Sequence, residues 1–170
     1  IGANSIKSPE IYLNEMRIIK SEFEIKRMRE AVQISAEAHE LVRESISSKK
    51  NERQIQGVLE GFFLEKGARG PAYNSIVASG DNACILHYTS NNSPLKKGDL
   101  LLVDAGCSLT DYYNGDITRT IPISGKFSCE QKAIYEIVLS AQKTAIKSAI
   151  TGSNSSTVHN VALTILIEGL

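Results

Sequence analysis

At 170 residues, with 42% hydrophobic and 22% charged side chains, the chain has the composition of a globular protein with one sizeable core. Nineteen basic and nineteen acidic residues cancel, which argues against nucleic acid as a partner. No apolar run approaches the roughly 18 residues of a membrane span, and no signal peptide precedes the charged first helix, so no membrane partner and a cytoplasmic location are expected.

Residues 1–20 read as an extended lead-in, a linker from a preceding domain. Ser21 with Glu24 forms a capping-box signature for a helix running to about Ser47. Its apolar stripe is read as Ile25, Met28, Val32, Ser35, His39, Val42 and Ile46. Asn51 with Gln54 starts a second helix carrying Ile55, Val58, Leu59, Phe62 and Phe63, and Gly67 stops it. Tyr73–Ser79 and Cys84–Thr89 read as two strands around the turn Gly80–Asp81–Asn82. Ser128 with Gln131 caps a third helix through roughly Ser148, with Ile134, Tyr135, Val138, Ala141, Ala145 and Ala149 facing inward. Thr157 is the expected cap of a last helix that is apolar on nearly every side, and such a helix has to be covered by something. Either another subunit covers it, giving a homo-oligomer, or the chain is a fragment; the fragment is the favoured expectation. The pattern as a whole is α+β.

Two aspartates sit where valine or isoleucine would be ordinary. Leu100–Gly106 reads as a fully buried strand with Asp104 near its end, and Gly115–Ile121 as a second strand opening on Asp116. The polar, turn-prone stretch between them makes the two strands a hairpin. With the loop centred on Thr110, Asp104 and Asp116 face each other, with Cβ atoms roughly 5 Å apart. Two ionised carboxylates at that distance repel by about 3 kcal/mol at an effective dielectric near 20. A shared proton or a hard divalent cation would offset this. The alternative is one buried aspartate capping a turn and one exposed aspartate ending a strand. Cys84, Cys107 and Cys129 lack metal-ligand spacing and read as structural thiols, Cys107 included despite its closeness to Asp104.

Of the three histidines, His39 lies on an apolar helix stripe and reads as a satisfied, partly buried residue. His159 reads as a surface residue or a support near the site. His87, in Ile85–Leu86–His87–Tyr88–Thr89, stands near the sheet region of the carboxylates, where it would either donate to an oxyanion or serve a structural role.

Four segments together resemble a known family: Ile85–Leu86–His87–Tyr88, Lys97–Gly98–Asp99, Val103–Asp104–Ala105–Gly106–Cys107 and Gly115–Asp116–Ile117–Thr118–Arg119–Thr120. They are similar to the Xaa-Pro aminopeptidases (aminopeptidase P) of peptidase family M24, and the likeness continues through Gly125–Lys126–Phe127 and Gln131–Tyr135. The resemblance implies the pita-bread fold, with residues 21–170 as the first half of the catalytic domain, truncated at its C-terminus, and a curved antiparallel sheet with flanking helices. It implies a metallo-aminopeptidase that releases the N-terminal residue from peptides with proline in second position. Its two divalent ions would be manganese, with cobalt or zinc as alternatives. Asp104 and Asp116 match metal ligands, Asp116 the bridging one. One histidine and two glutamates would lie beyond Leu170, so residues 1–170 alone are expected to be inactive, with an incomplete or empty metal site. His87 matches a histidine that stabilises the tetrahedral intermediate, Tyr73 lies along the active-site wall, where it would help bind substrate, and Thr118 supports Asp116 from the same strand face.

One departure stands out: the aspartates are twelve apart, where the family spacing is one shorter, so an extra residue around Asp111–Tyr112–Tyr113 or a bulge is expected. Prolidase is the nearest alternative activity. Methionine aminopeptidase fits less well, because Tyr88 rather than glycine follows His87. From a different class, metal-free pita-bread domains act as peptide-binding modules, and those typically lose the aspartates that this chain keeps.

Overall fold

The computed structural model describes residues 8–170. In chain order it contains α1 (Glu10–Ile18), α2 (Glu22–Ser45), α3 (Glu52–Glu65), β1 (Gly70–Pro71), β2 (Ile76–Ser79), β3 (Leu100–Ala105), β4 (Cys107–Ser108), β5 (Ile117–Pro122), α4 (Cys129–Ser148) and α5 (Ser155–Gly169). Single 3₁₀ turns lie at Ile46–Ser48 and Gly80–Cys84. The chain divides into two compact units, one ending at Ile123 and one spanning Ser124–Leu170.

Helix starts follow their caps. Ser21 and Glu24 close a reciprocal capping box on α2, and Ser128 and Gln131 do the same on α4. Asn51 caps α3 by accepting from the Gln54 amide. Gly67, at φ +82°, ends that helix: its N–H donates to Leu64 and that of Ala68 to Phe63, a Schellman motif that a residue with a Cβ enters only with strain. Asn154, not Thr157, caps α5, accepting from both the backbone and the hydroxyl of Thr157. Residues 10–18 are helical where an extended lead-in was expected, although α1 buries none of its residues; residues 1–7 of that lead-in lie outside the described residues.

In the first unit the core joins Ala31, Ile34, Ala38 and Val42 of α2 to Ile55, Leu59 and Phe63 of α3, and to Val77, Leu101, Val103 and Ala105 of the sheet. The buried face of α2 differs from the predicted stripe over its first half, since Ile25, Met28 and Val32 are exposed. Alanines take that face instead, because the helix lies close to the sheet. The sheet is antiparallel in the order β2–β3–β5. β3 is not buried on both faces: Leu101, Val103 and Ala105 point into the core, while Leu100, Leu102 and Asp104 occupy a half-buried face.

β3 and β5 form the expected hairpin in a different register. Asp104 stands opposite Thr118 and Ala105 opposite Ile117, and the bridge Ser108–Asn114 continues the same alignment. The turn is therefore centred on Asp111 rather than Thr110, and no bulge interrupts the stem. Leu109 and Tyr113 close a three-residue tip whose last member, Tyr112, is left-handed at φ +70°. Arg27 of α2 holds Asp111 through two nitrogens, at 2.6 and 3.1 Å, and the Tyr113 hydroxyl donates to Glu24.

The stem is pressed against α2. A β-carbon at Gly106 would lie 1.9 Å from the Gly115 carbonyl oxygen, and one at Gly115 would lie 2.2 Å from Ser35 Oγ and 2.8 Å from the Ala31 carbonyl oxygen. Ser35 Oγ accepts from the Cys107 amide and donates to Ala31. His39, buried as expected, sets Nε2 3.0 Å from the Ala105 carbonyl. Burial pushes its pKa down, outweighing the hydrogen bond to Ala105. Cys107 is fully buried, with its thiol pushed up by burial, and is a packing residue as expected.

In the second unit only Ala141 of α4 is buried. Ile134, Val138 and Ala149 are exposed rather than inward-facing. The face toward α5 includes Ile137, which stands so close to Gly169 that a β-carbon there would lie 2.6 Å from it.

Two outcomes follow for stability. Gly106→Ala should cost about 3 kcal/mol or more by overpacking against backbone, whereas Gly57→Ala, with nothing within 4 Å in mid-helix, should gain roughly 0.5–1 kcal/mol; urea unfolding measures both. For His39 the depressed native pKa means the unfolded chain binds the proton more readily. Stability contributed by neutral His39 is thus present above the ordinary value of 6.5 and lost as pH falls below it. Urea midpoints between pH 7 and 5 should fall in the native protein, and the slope should flatten in His39→Gln.

Candidate functional site

Three side chains converge at the end of the hairpin stem. By register Asp116 stands opposite Gly106, one residue before β5, and so is the diagonal rather than the direct neighbour of Asp104. The two carboxylates still meet, because one phenol lies between them. Tyr73 Oη is 2.6 Å from Asp104 Oδ1 and 2.8 Å from Asp116 Oδ1. Those carboxylate oxygens cannot be farther apart than the sum of the two distances, well inside the roughly 8 Å reach of diagonal neighbours. Tyr73 follows β1, and the amide of the preceding Ala72 donates to the Gly106 carbonyl at 2.8 Å, which places the ring over the stem.

The electrostatics of this trio are unbalanced. A phenol carries one proton and can donate to one carboxylate at a time. Burial, with the adjacent Asp104 and Asp116 accepting its hydrogen bond, pushes the Tyr73 pKa well above its usual range, so it stays a donor. The other carboxylate is left without that proton, and among the described residues no further hydrogen bond reaches either aspartate; Asp104 is half-buried and Asp116 exposed. Thr118 lies opposite Asp104 and two residues from Asp116, on their strand face.

His87 is placed differently from the sequence reading. Residues 84–89 are not a strand; after the 3₁₀ turn Gly80–Cys84 the chain makes a second turn, in which His87 is left-handed at φ +54° and exposed. No hydrogen bond links His87 to the aspartates or Tyr73 among the described residues. No cluster of three or more His, Cys, Asp or Glu suited to a metal occurs among them either. His159 is exposed on α5, and no described helix is long and apolar enough to cross a membrane.

The sequence reading missed Glu52. Its carboxylate is fully buried and accepts from Ser79 N and Oγ, Asn82, Tyr88 and Ser93. A glutamate in the first turn of a helix looks like an ordinary N-terminal charge, so nothing local in the sequence marks it.

Replacing Tyr73 with Phe should leave the two carboxylates facing each other without a donor. In low salt and without divalent cations this should destabilise the protein by about 1–3 kcal/mol. Adding Asp116→Asn to that variant should recover part of the loss, and urea titrations of the three variants check both.

The profile of metallopeptidase family M24 matches residues 26–170. An Xaa-Pro aminopeptidase from Haemophilus influenzae is 47% identical over 93% of this chain and 36% of its own length. The Escherichia coli Xaa-Pro aminopeptidase is 42% identical with the same coverage. Among solved structures, proline aminopeptidase P II from Yersinia pestis superposes with TM-score 0.88 at 42% identity, over 95% of this chain and 37% of that one. Zinc-substituted E. coli aminopeptidase P in complex with product does so with TM-score 0.85 at 40% identity, over 91% and 35%. The chain thus spans about a third of the length of these relatives, and its α+β architecture is the N-terminal half of their pita-bread fold.

Proposed function

The chain belongs to metallopeptidase family M24, and from that premise we propose that it forms part of a dinuclear aminopeptidase that removes the first residue from peptides with proline in second position. The observation that carries this reading is the pair of carboxylates meeting at one phenol. Their oxygens are hard donors, and they meet at a single proton donor. That donor set fits hard divalent cations; the resemblance to the family implies manganese, with cobalt or zinc as alternatives.

In this reading Asp104 and Asp116 would hold the ions, with Asp116 the ligand that the resemblance makes common to both. Such ions, when bound, supply an activated water and polarise the scissile carbonyl. Tyr73 donates to one aspartate and fixes the orientation of both. Thr118, across from Asp104, fills the strand face beside them. His87 donates a hydrogen bond where negative charge develops on the carbonyl oxygen; its exposure on a turn leaves the imidazole free for substrate. Tyr73 also forms part of the wall along which substrate lies. One histidine and two glutamates from sequence beyond Leu170 complete the ligand set, so residues 1–170 alone are expected to bind manganese weakly and to be inactive.

The test uses the full-length protein on Xaa-Pro peptides. His87→Ala should lower turnover by roughly 10²–10³ with metal content unchanged, while Asp104→Asn should lower metal content and turnover together. Loss of metal in His87→Ala would make His87 a ligand and refute its assigned role. Turnover that survives thorough chelation would refute the metal reading altogether.

A further inference from the structure

Glu52 sits at the N-terminus of α3, has no solvent-exposed surface, and is in no ion pair among the described residues. Burial raises the pKa of its carboxyl, but hydrogen bonds from Asn82, Ser93 and Ser79 outweigh that, so the group lies below its ordinary value. Oε1 accepts from Ser79 N at 2.8 Å, Ser79 Oγ at 2.8 Å and Asn82 Nδ2 at 3.0 Å. Oε2 accepts from the Tyr88 hydroxyl at 2.8 Å and Ser93 N at 2.9 Å. These five contacts more than fill a carboxylate's roughly four lone-pair sites.

The donors share one feature of the chain: they all belong to the segment that leaves β2 and carries His87. Asn82 and Tyr88 grip it on either side of His87, and Ser79 and Ser93 fix its two ends. Of the five residues between the grips, Cys84, Ile85, Leu86 and His87 are exposed. A left-handed histidine is uncommon and persists where its surroundings over-determine it. Two of the donors, one on each oxygen, are backbone N–H groups that cannot turn round. A glutamine in this place would set its NH₂ against one of them, so the site requires an ionised carboxylate rather than a group of the same shape.

We propose that Glu52 is the positioning residue for His87, its buried carboxylate holding the Gly80–Ser93 segment in the turn that presents the imidazole. The proposal rests on the reading of His87 as an oxyanion donor. In the full-length enzyme, Glu52→Gln should lower kcat on an Xaa-Pro peptide toward the loss seen in His87→Ala, with KM and metal content little changed. In the His87→Ala background it should cost nothing further, because the two residues act as one unit. Tyr88→Phe, which removes the donor next to His87, should give a smaller fall that also vanishes in that background. It carries the test if Glu52→Gln does not fold.

A readout that does not depend on activity is amide hydrogen exchange. In Glu52→Gln it should speed up across residues 80–93 while β3 and the middle of α2 stay protected. Losses that multiply with those of His87→Ala, or exchange in the segment that stays slow, would overturn the proposal while leaving the reading of His87 intact. Full turnover in His87→Ala would overturn that reading and the proposal together.

Discussion

Two close approaches set the hairpin stem, with no space for a β-carbon at Gly115, which lies on α2, or at Gly106, which lies on the Gly115 backbone across the stem. These contacts fix the depth of the stem and leave Asp104 and Asp116 on the side away from the helix. Ser35 and His39 from the helix side, and Cys107 from the hairpin, hold the same junction by hydrogen bonds. The Gly106 carbonyl also accepts from Ala72, so the residue that must be small on one side anchors Tyr73 on the other. The trio of acidic and phenolic groups is a consequence of how closely a helix approaches a strand pair.

The carboxylates of Glu52, buried, Asp104, half-buried, and Asp116, exposed, show opposite solutions to one problem. Glu52 is surrounded by donors from its own fold and has no lone pair left to offer. Asp104 and Asp116 share one hydroxyl between them. A saturated carboxylate is a fastener, because any further ligand would have to displace a bond already made. An undersupplied pair can take a further partner without displacing a bond already made. Composition treats all three alike; the count of donors around each tells them apart.

Much of this was legible in the sequence. Capping boxes at Ser21 and Ser128, the Asn51 cap and the Gly67 stop gave helix starts and one end, since caps are local chemistry. The aspartate pair and the hairpin were visible for the same reason. What failed depended on distant partners. The α2 stripe went wrong because close approach to the sheet selects Ala31 and Ala38 over Ile25 and Met28, against the ordinary weight of larger apolar groups. The segment 84–89 has strand-forming residues but no strand beside it, and Glu52 folds it into a turn instead. The hairpin register missed by two residues because it is set by the fit of the glycines and the turn at Tyr112. Asp104 and Asp116 remain together all the same, since a shift of two keeps both on one face.

The hairpin tip shows where length can vary freely. Its stem register is continuous to Leu109 and Tyr113, the latter held to α2 by Glu24, and everything beyond is a three-residue turn tethered to α2 through Arg27. Residues added there extend the turn without sliding one strand past the other, so the gap between the two aspartates in sequence is uncoupled from their separation in space. A search for relatives that demands a fixed interval between the two carboxylates would discard chains whose sites are geometrically identical. Requiring a glycine two residues after the first carboxylate and one immediately before the second, with the interval left open, would keep them.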